Sequence, residues 1–208
     1  MTKDFEMQRQ IMVDRQLRTR GLKDERVLAA MSSVPRHLFV PEIEKNRSYY
    51  DGPLPIGKGQ TISQPYIVAY MTELLLLKGH EKVLEIGTGC GYQTAVLAEI
   101  VDHVYTIEII AELAERAKRS LGEELQYANI DFKIGNGRKG WQEFSPFDRI
   151  LLTAAPKEFP KELFSQLKDG GIVVAPVGDI IQRIVRYFKN KGAIEKEELI
   201  GVSFVPCV

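Results

Sequence analysis

Val83-Leu84-Glu85-Ile86-Gly87-Thr88-Gly89-Cys90-Gly91-Tyr92 is the stretch that decides the fold. A short run of strand formers enters a glycine-rich turn, and a helical stretch follows. That order builds a strand–loop–helix unit able to hold a small ligand at the carboxyl edge of a parallel sheet. Gly87 and Gly89 let the backbone turn sharply and approach a ligand with no Cβ in the way. His103 to Ile107 reads as the next strand, and Glu108 closes it. An acidic side chain roughly 20 residues past the glycines can accept hydrogen bonds from both hydroxyls of a ribose. A nucleoside-containing ligand is therefore expected.

The spacing narrows the choice of ligand. Dinucleotide sites favour G-x-G-x-x-G, with the pyrophosphate at the helix N-terminus. Here Gly87, Gly89 and Gly91 give G-x-G-x-G, and Glu85 stands two places before the first glycine. A carboxylate beside the loop disfavours pyrophosphate and suits a ligand with a positive end. S-adenosylmethionine offers an amino group, a ribose and an adenine. Dinucleotide binding stays as the minority alternative, and a ligand-free glycine turn as the bland one.

Bulk properties agree with a soluble globular protein. The chain has 208 residues, enough for one domain with a substantial core. Lys plus Arg and Asp plus Glu both number 28, a formal net charge of zero, which argues against nucleic acid or an anionic membrane as partner. The two cysteines, Cys90 and Cys207, make neither a disulfide framework nor a metal-ligand spacing, so no metal is expected. Met1 to Glu6 is charged and lacks an apolar signal core, and no apolar run nears the ~20 residues that span a bilayer. A cytoplasmic location and a monomer are the expectations.

Periodicity predicts helices over residues 5–33, broken at Gly21, then an irregular stretch over 41–64 rich in glycine and proline. Such a stretch in a compact domain is more often functional than disordered. A helix should start at Pro65, capped by Ser63 or Gln64, and run to about Leu77. Strands are expected at 82–86, 103–108, 130–134, 147–153, 172–177, 181–188 and 198–205. Helices are expected at 92–101, 111–121 and 159–167, the last stopped by Gly170-Gly171. The organisation is one domain, 1–208, with N-terminal helices and a substrate loop over 1–64 and a nucleotide-binding α/β core over 65–208. Its last two strands are close enough to form an antiparallel hairpin.

Further groups fall at strand ends. Asn136, within Gly135-Asn136-Gly137-Arg138, can meet an adenine edge or be a plain turn residue, and the sequence does not separate the two. Thr153-Ala154-Ala155-Pro156 leaves space above a ligand or makes a tight connection. Gln60-Thr61-Ile62-Ser63 offers a hydroxyl and backbone N–H groups to a carboxylate, although a helix cap is the commoner use of such a serine. His37, His80 and His103 are scattered, and no nucleophile–base pair can be argued.

These pieces coincide in one family. On Leu54 to Pro65, Val83 to Thr94, Gly135 to Gly140, Met12-Val13, Gln16-Leu17 and Val34 to Pro41, the chain resembles the protein-L-isoaspartate O-methyltransferases over nearly its whole length. The glycine motif is shared with most class I methyltransferases; the segment Gly59-Gln-Thr-Ile-Ser63 is the specific part. The resemblance implies an α/β class I methyltransferase fold: a Rossmann-like doubly wound sheet with an antiparallel C-terminal edge and an N-terminal helical segment. It implies methyl transfer from S-adenosyl-L-methionine to the free α-carboxylate of L-isoaspartyl residues in damaged proteins and peptides, an act of repair. Ser63 matches the active-site serine. Gln60, Thr61 and Ile62 match the loop that closes over cofactor and substrate. Glu85, Gly87, Gly89 and Glu108 match cofactor contacts, and Thr88, Gly91, Asn136 and Gly137 complete the expected cofactor set. Two departures stand out. The family usually has Gly-Asp-Gly where Asn136 stands, and its members often continue past Val205-Pro206-Cys207-Val208.

Overall fold

The computed structural model describes residues 4–207; Met1 to Lys3 and Val208, and the expectations that touch them, lie outside it. Among the described residues, nine strands form two sheets. The larger has the order β5-β4-β3-β6-β7-β8-β9. Its parallel part comprises β3 (Lys82–Ile86), β4 (His103–Glu108), β5 (Ile130–Ile134), β6 (Phe147–Leu152) and β7 (Leu167–Gly178). Strands β8 (Gln182–Asn190) and β9 (Ala193–Val202) then pair antiparallel at one edge. The expected architecture is present.

Chain order fixes where a ligand can sit. From β3 the chain moves outward to β4 and β5, then returns to the other side of β3 as β6. The crevice outside the carboxyl ends of strands at such a reversal is the ligand position of open α/β sheets. Helix α4 (Tyr92–Ala98) follows β3, and α5 (Ala111–Lys118) follows β4. Side chains alternate across the sheet. Leu84, Ile86, Tyr105 and Ile107 join one buried cluster with Phe147 and Ile150; Val83 and Val104 join another with Leu97 and Met71. Glu85 and Thr106 share the face of Val83 and Val104, toward α4.

The N-terminal segment packs into the same body. Helix α1 (Phe5–Met12) is capped by the Asp4 carboxylate and continues through a π-turn and a 3-10 turn to Gly21, whose φ is 90°. Helix α2 (Glu25–Ser33) is capped by Asp24. Met12, Leu17, Val27, Leu28 and Met31 bury against Tyr92, Ala95 and Val96 of α4.

Several boundaries differ from the sequence expectation. The irregular stretch contains a hairpin, β1 (Leu54–Gly57) and β2 (Gln60–Ile62), that alternation over so few residues could not reveal. Helix α3 (Pro65–Leu74) stops short of Leu77, because Leu76 turns to a positive φ of 53°. The expected helix 159–167 is only a 3-10 stretch, Lys161–Gln166, and β7 begins at Leu167. Gly170-Gly171 therefore does not end a helix. With φ of 77° at Gly170, the pair lies inside β7, where the register against β6 shifts. The last strand starts at Ala193, not Glu198, because Lys191 and Gly192 both adopt positive φ, 49° and 80°, and make a two-residue hairpin turn. Among the described residues, no helix is long and apolar enough to cross a membrane.

Candidate active site

A cleft of about 950 Å³, open mouth included, lies at the chain reversal. Gly87, Thr88 and Gly89 form its floor after β3, Glu108 and Ile109 flank it at the end of β4, and Thr153 and Ala154 close it after β6. Its far wall comes from distant sequence: Gln60 to Ser63 on and after β2, Val68 and Met71 of α3, and Phe204 to Cys207 near the C-terminus.

The floor is shaped by backbone that only glycine tolerates. Gly87 has φ 101°, and a Cβ there would collide with Thr153 Oγ1. That hydroxyl bonds back to the Ile86 and Gly87 carbonyls, locking the ends of β3 and β6 together. Gly137 has no such φ, but a Cβ on it would strike Ile86.

Glu108 is 6% exposed on the cleft wall. Its Oε2 accepts from the Gly89 N–H at 2.8 Å and its Oε1 from the Ile110 N–H at 2.9 Å. A carboxylate has about four lone-pair sites. Two hold the loop in place and the others are left for a ligand with adjacent hydroxyls.

Glu85 occupies a different place. It is fully buried beneath the loop and absent from the cleft wall. Its Oε2 accepts from Thr94 Oγ1 at 2.5 Å and Thr106 Oγ1 at 2.7 Å, while Oε1 has no partner. Thr106 Oγ1 in turn lies 2.6 Å from Thr88 Oγ1. A chain of hydroxyls thus ties the glycine loop to a buried carboxyl. Burial pushes that carboxyl up to about 7; the two hydroxyls oppose the shift and nearby Glu108 adds to it.

Gly91 and Asn136 also lie off the cleft wall. Gly91 takes φ 91° at the start of α4, where its Cβ would meet Leu121. Asn136 is exposed, and its side-chain oxygen accepts from the Arg138 N–H at 2.9 Å, the turn geometry that was the alternative to adenine contact. The structure therefore brings together Gln60, Thr61, Ile62, Ser63, Gly87, Thr88, Gly89, Glu108 and Gly137, and leaves Glu85, Gly91 and Asn136 off the cleft wall.

Ser63 is not the cap of α3. The N-cap position is Gln64, which makes no side-chain capping bond, and its amide nitrogen donates to Asp51 instead. The Ser63 carbonyl accepts from Arg36 Nη2 at 2.8 Å. Arg36 lies within the segment Val34 to Pro41. It is fully buried, donates from Nε to the Ser48 carbonyl at 2.7 Å, and lies 4.8 Å from the centre of the Tyr92 ring. The guanidinium thereby links the serine loop to the helix that follows the glycine loop. The hairpin is anchored too: Arg116 Nη2 donates to the Ile56 carbonyl at 2.6 Å, and Lys58 pairs with Glu112 of α5.

With this geometry in place, the comparisons with known proteins agree. The family described as protein-L-isoaspartate(D-aspartate) O-methyltransferase (PCMT) matches residues 7–208. The chain belongs to this family. A relative named protein-L-isoaspartate O-methyltransferase from Picosynechococcus sp. is 54% identical over 95% of this chain and 89% of its own length. Another of that name from Dictyoglomus thermophilum is 52% identical over 99% of this chain and 93% of its own. A solved structure of that name superposes with a TM-score of 0.87 at 30% identity; the match covers 95% of this chain and 65% of that one. A crystal structure from Plasmodium falciparum under the PCMT name, in complex with S-adenosyl-L-homocysteine, gives 0.82 at 27% identity and covers 95% and 96%.

Proposed function

We propose that this chain methylates the free α-carboxylate of L-isoaspartyl residues in damaged proteins and peptides, with S-adenosyl-L-methionine as donor, and that it works as a cytoplasmic monomer. The observation that carries the proposal is the meeting, in one cleft, of a ribose-type acceptor on a glycine loop with a serine loop from a remote part of the chain. The donor fits the residues present. Glu108 offers free acceptor sites, Gly87, Gly89 and Gly137 give close backbone approach, and Ile62, Val68, Ile86 and Ile107 supply apolar wall for a flat ring. When bound, the donor supplies a sulfonium-activated methyl group, so the protein need not generate an electrophile.

The acceptor needs little activation either. A carboxylate has a reference pKa near ~4 and is ionised at neutral pH without a general base. What remains for the protein is alignment and exclusion of water. Ser63, free of capping duty and pinned through its carbonyl by Arg36, is the group we assign to orient that carboxylate. Strand β2 and the segment 204–207 both line the cleft.

Ser63→Ala is expected to lower kcat/KM for an isoaspartyl peptide by about one to two decades, the worth of one hydrogen bond to a charged group. Affinity for S-adenosylmethionine and the melting temperature should hardly change. Turnover equal to the parent would remove Ser63 from the site. The function itself is tested by transfer of labelled methyl to an isoaspartyl peptide, its aspartyl twin and RNA. Equal labelling of the twins, or preference for RNA, would sink the proposal.

A further inference from the structure

The turn between β7 and β8, Asp179-Ile180-Ile181, carries two of the three most exposed large apolar residues of the described chain: Ile180 is 97% exposed and Ile181 78%. A lone exposed isoleucine is ordinary on a protein surface. This pair is distinguished by where it is held. The Gly178 N–H donates to the Pro156 carbonyl at 3.0 Å, and Asp179 pairs with Lys157 at 2.7 Å. At the base of the turn, the Phe204 N–H donates to Gln182 Oε1 at 2.6 Å and Gln182 Nε2 to the Phe204 carbonyl at 3.1 Å. The same C-terminal segment is stitched to Ala155, whose N–H donates to the Val205 carbonyl and whose carbonyl accepts from Cys207 N–H, both at 2.9 Å. The apolar tip is thus fastened to the segment that walls the active-site cleft.

A second cleft lies beneath the tip, lined by Arg138, Lys157, Glu158, Asp179, Pro206 and Cys207 among others. Pro206 and Cys207 line the first cleft as well, so one surface runs from the cleft of Ser63 and Glu108 to Asp179 and Gln182, the residues that flank the two isoleucines. Its charges are mixed, two basic and two acidic side chains, which suits a polypeptide and not a polyanion.

On this basis, and resting on the repair reading above, we infer that the second cleft and the Ile180–Ile181 tip bind the extended chain that flanks the isoaspartyl residue, with the isoleucines gripping an apolar side chain of the damaged protein. A residue seated in the first cleft must have its neighbours leave along the surface, and the second cleft is continuous with the first. A damaged, partly unfolded protein exposes the apolar side chains that its native state hides. An apolar contact outside the reacting centre would therefore favour unfolded chains over solvated surface loops.

The test uses the full chain and its Ile180→Ser/Ile181→Ser double variant. Two isoaspartyl peptides of equal length are compared, one with leucine and phenylalanine in the residues flanking the isoaspartate, the other with serine and glycine there. The variant should raise KM for the apolar peptide by about tenfold, the factor supplied by burying roughly half of an isoleucine side chain. It should leave kcat, KM for the polar peptide and S-adenosylmethionine affinity unchanged, and Ile180→Leu/Ile181→Leu should restore the parent KM. Equal effects on both peptides, or none on either, overturn the inference. So does a parent that self-associates with rising concentration where the serine variant does not, since the tip would then be an interface between copies. If the parent methylates neither peptide above its aspartyl twin, the repair reading itself fails, and that result is distinct from all of these.

Discussion

Glu108→Ala is expected to lower affinity for S-adenosylmethionine by about two to four orders of magnitude. Hydrogen bonds to a charged group contribute roughly 1.5–3 kcal/mol each, and a ribose presents two hydroxyls, so about 3–6 kcal/mol is at stake. The carboxylate also holds the Gly89 and Ile110 N–H groups, and its removal frees the loop it shapes. Glu108→Gln separates the two contributions. Its amide oxygen can still accept one backbone N–H, while its NH2 group faces the other backbone donor and offers hydroxyls only a donor. Calorimetry should place the glutamine variant between parent and alanine. Unchanged affinity in both would mean that Glu108 only braces the loop and that the ligand hydroxyls are held elsewhere.

The α/β core was legible because its signals are local. A buried parallel strand reads as a continuous apolar run, and the glycines that follow β3 are required by the backbone, as the positive φ of Gly87 and its contact with Thr153 demonstrate. The hairpin β1–β2 escaped because its strands have four and three residues and are held by Arg116 and Glu112, partners more than fifty positions away. Leu167 to Gly171 misled for the opposite reason. A glycine pair after an apolar stretch is a helix stop in most contexts, and only pairing with Phe147 and Ile172's neighbours in β6 makes it a strand irregularity. In the site, the strand-end residues and the Gln60 to Ser63 loop were legible as candidates, whereas the C-terminal wall and Arg36 were not. Nothing in Phe204 to Cys207 advertises that it walls the cleft, and nothing local to Arg36 says that it will carry the Ser63 carbonyl. Glu85 shows the limit in the other direction. Its position before the glycines suggested direct contact with a ligand, but strand alternation turns it toward α4, where Thr94 and Thr106 receive it.

That burial has a measurable consequence in pH. The Glu85 carboxyl is pushed up to about 7 in the fold from an ordinary value of 4.5, chiefly by desolvation. Below the unfolded value both states are protonated, and the group's contribution to stability is fully present. Between about 4.5 and 7 the unfolded chain releases the proton and the folded chain keeps it, so stability declines as pH rises; above about 7 both have released it and the loss is complete. The full loss is of the order of 3 kcal/mol. Carboxylates held below their ordinary range, Asp148 beside Lys168 among them, act in the opposite sense at lower pH. Parent and Glu85→Gln must therefore be compared with each other and not with a baseline. Denaturant unfolding without ligand, at pH 5 and pH 7.5, should show the parent losing about 2 kcal/mol more than the variant across that interval. The glutamine keeps an acceptor for the Thr94 and Thr106 hydroxyls but has no proton to release, so its own curve should follow the remaining groups alone. Parallel curves would mean that Glu85 titrates as it does in the unfolded chain, and that water reaches the carboxyl under the loop.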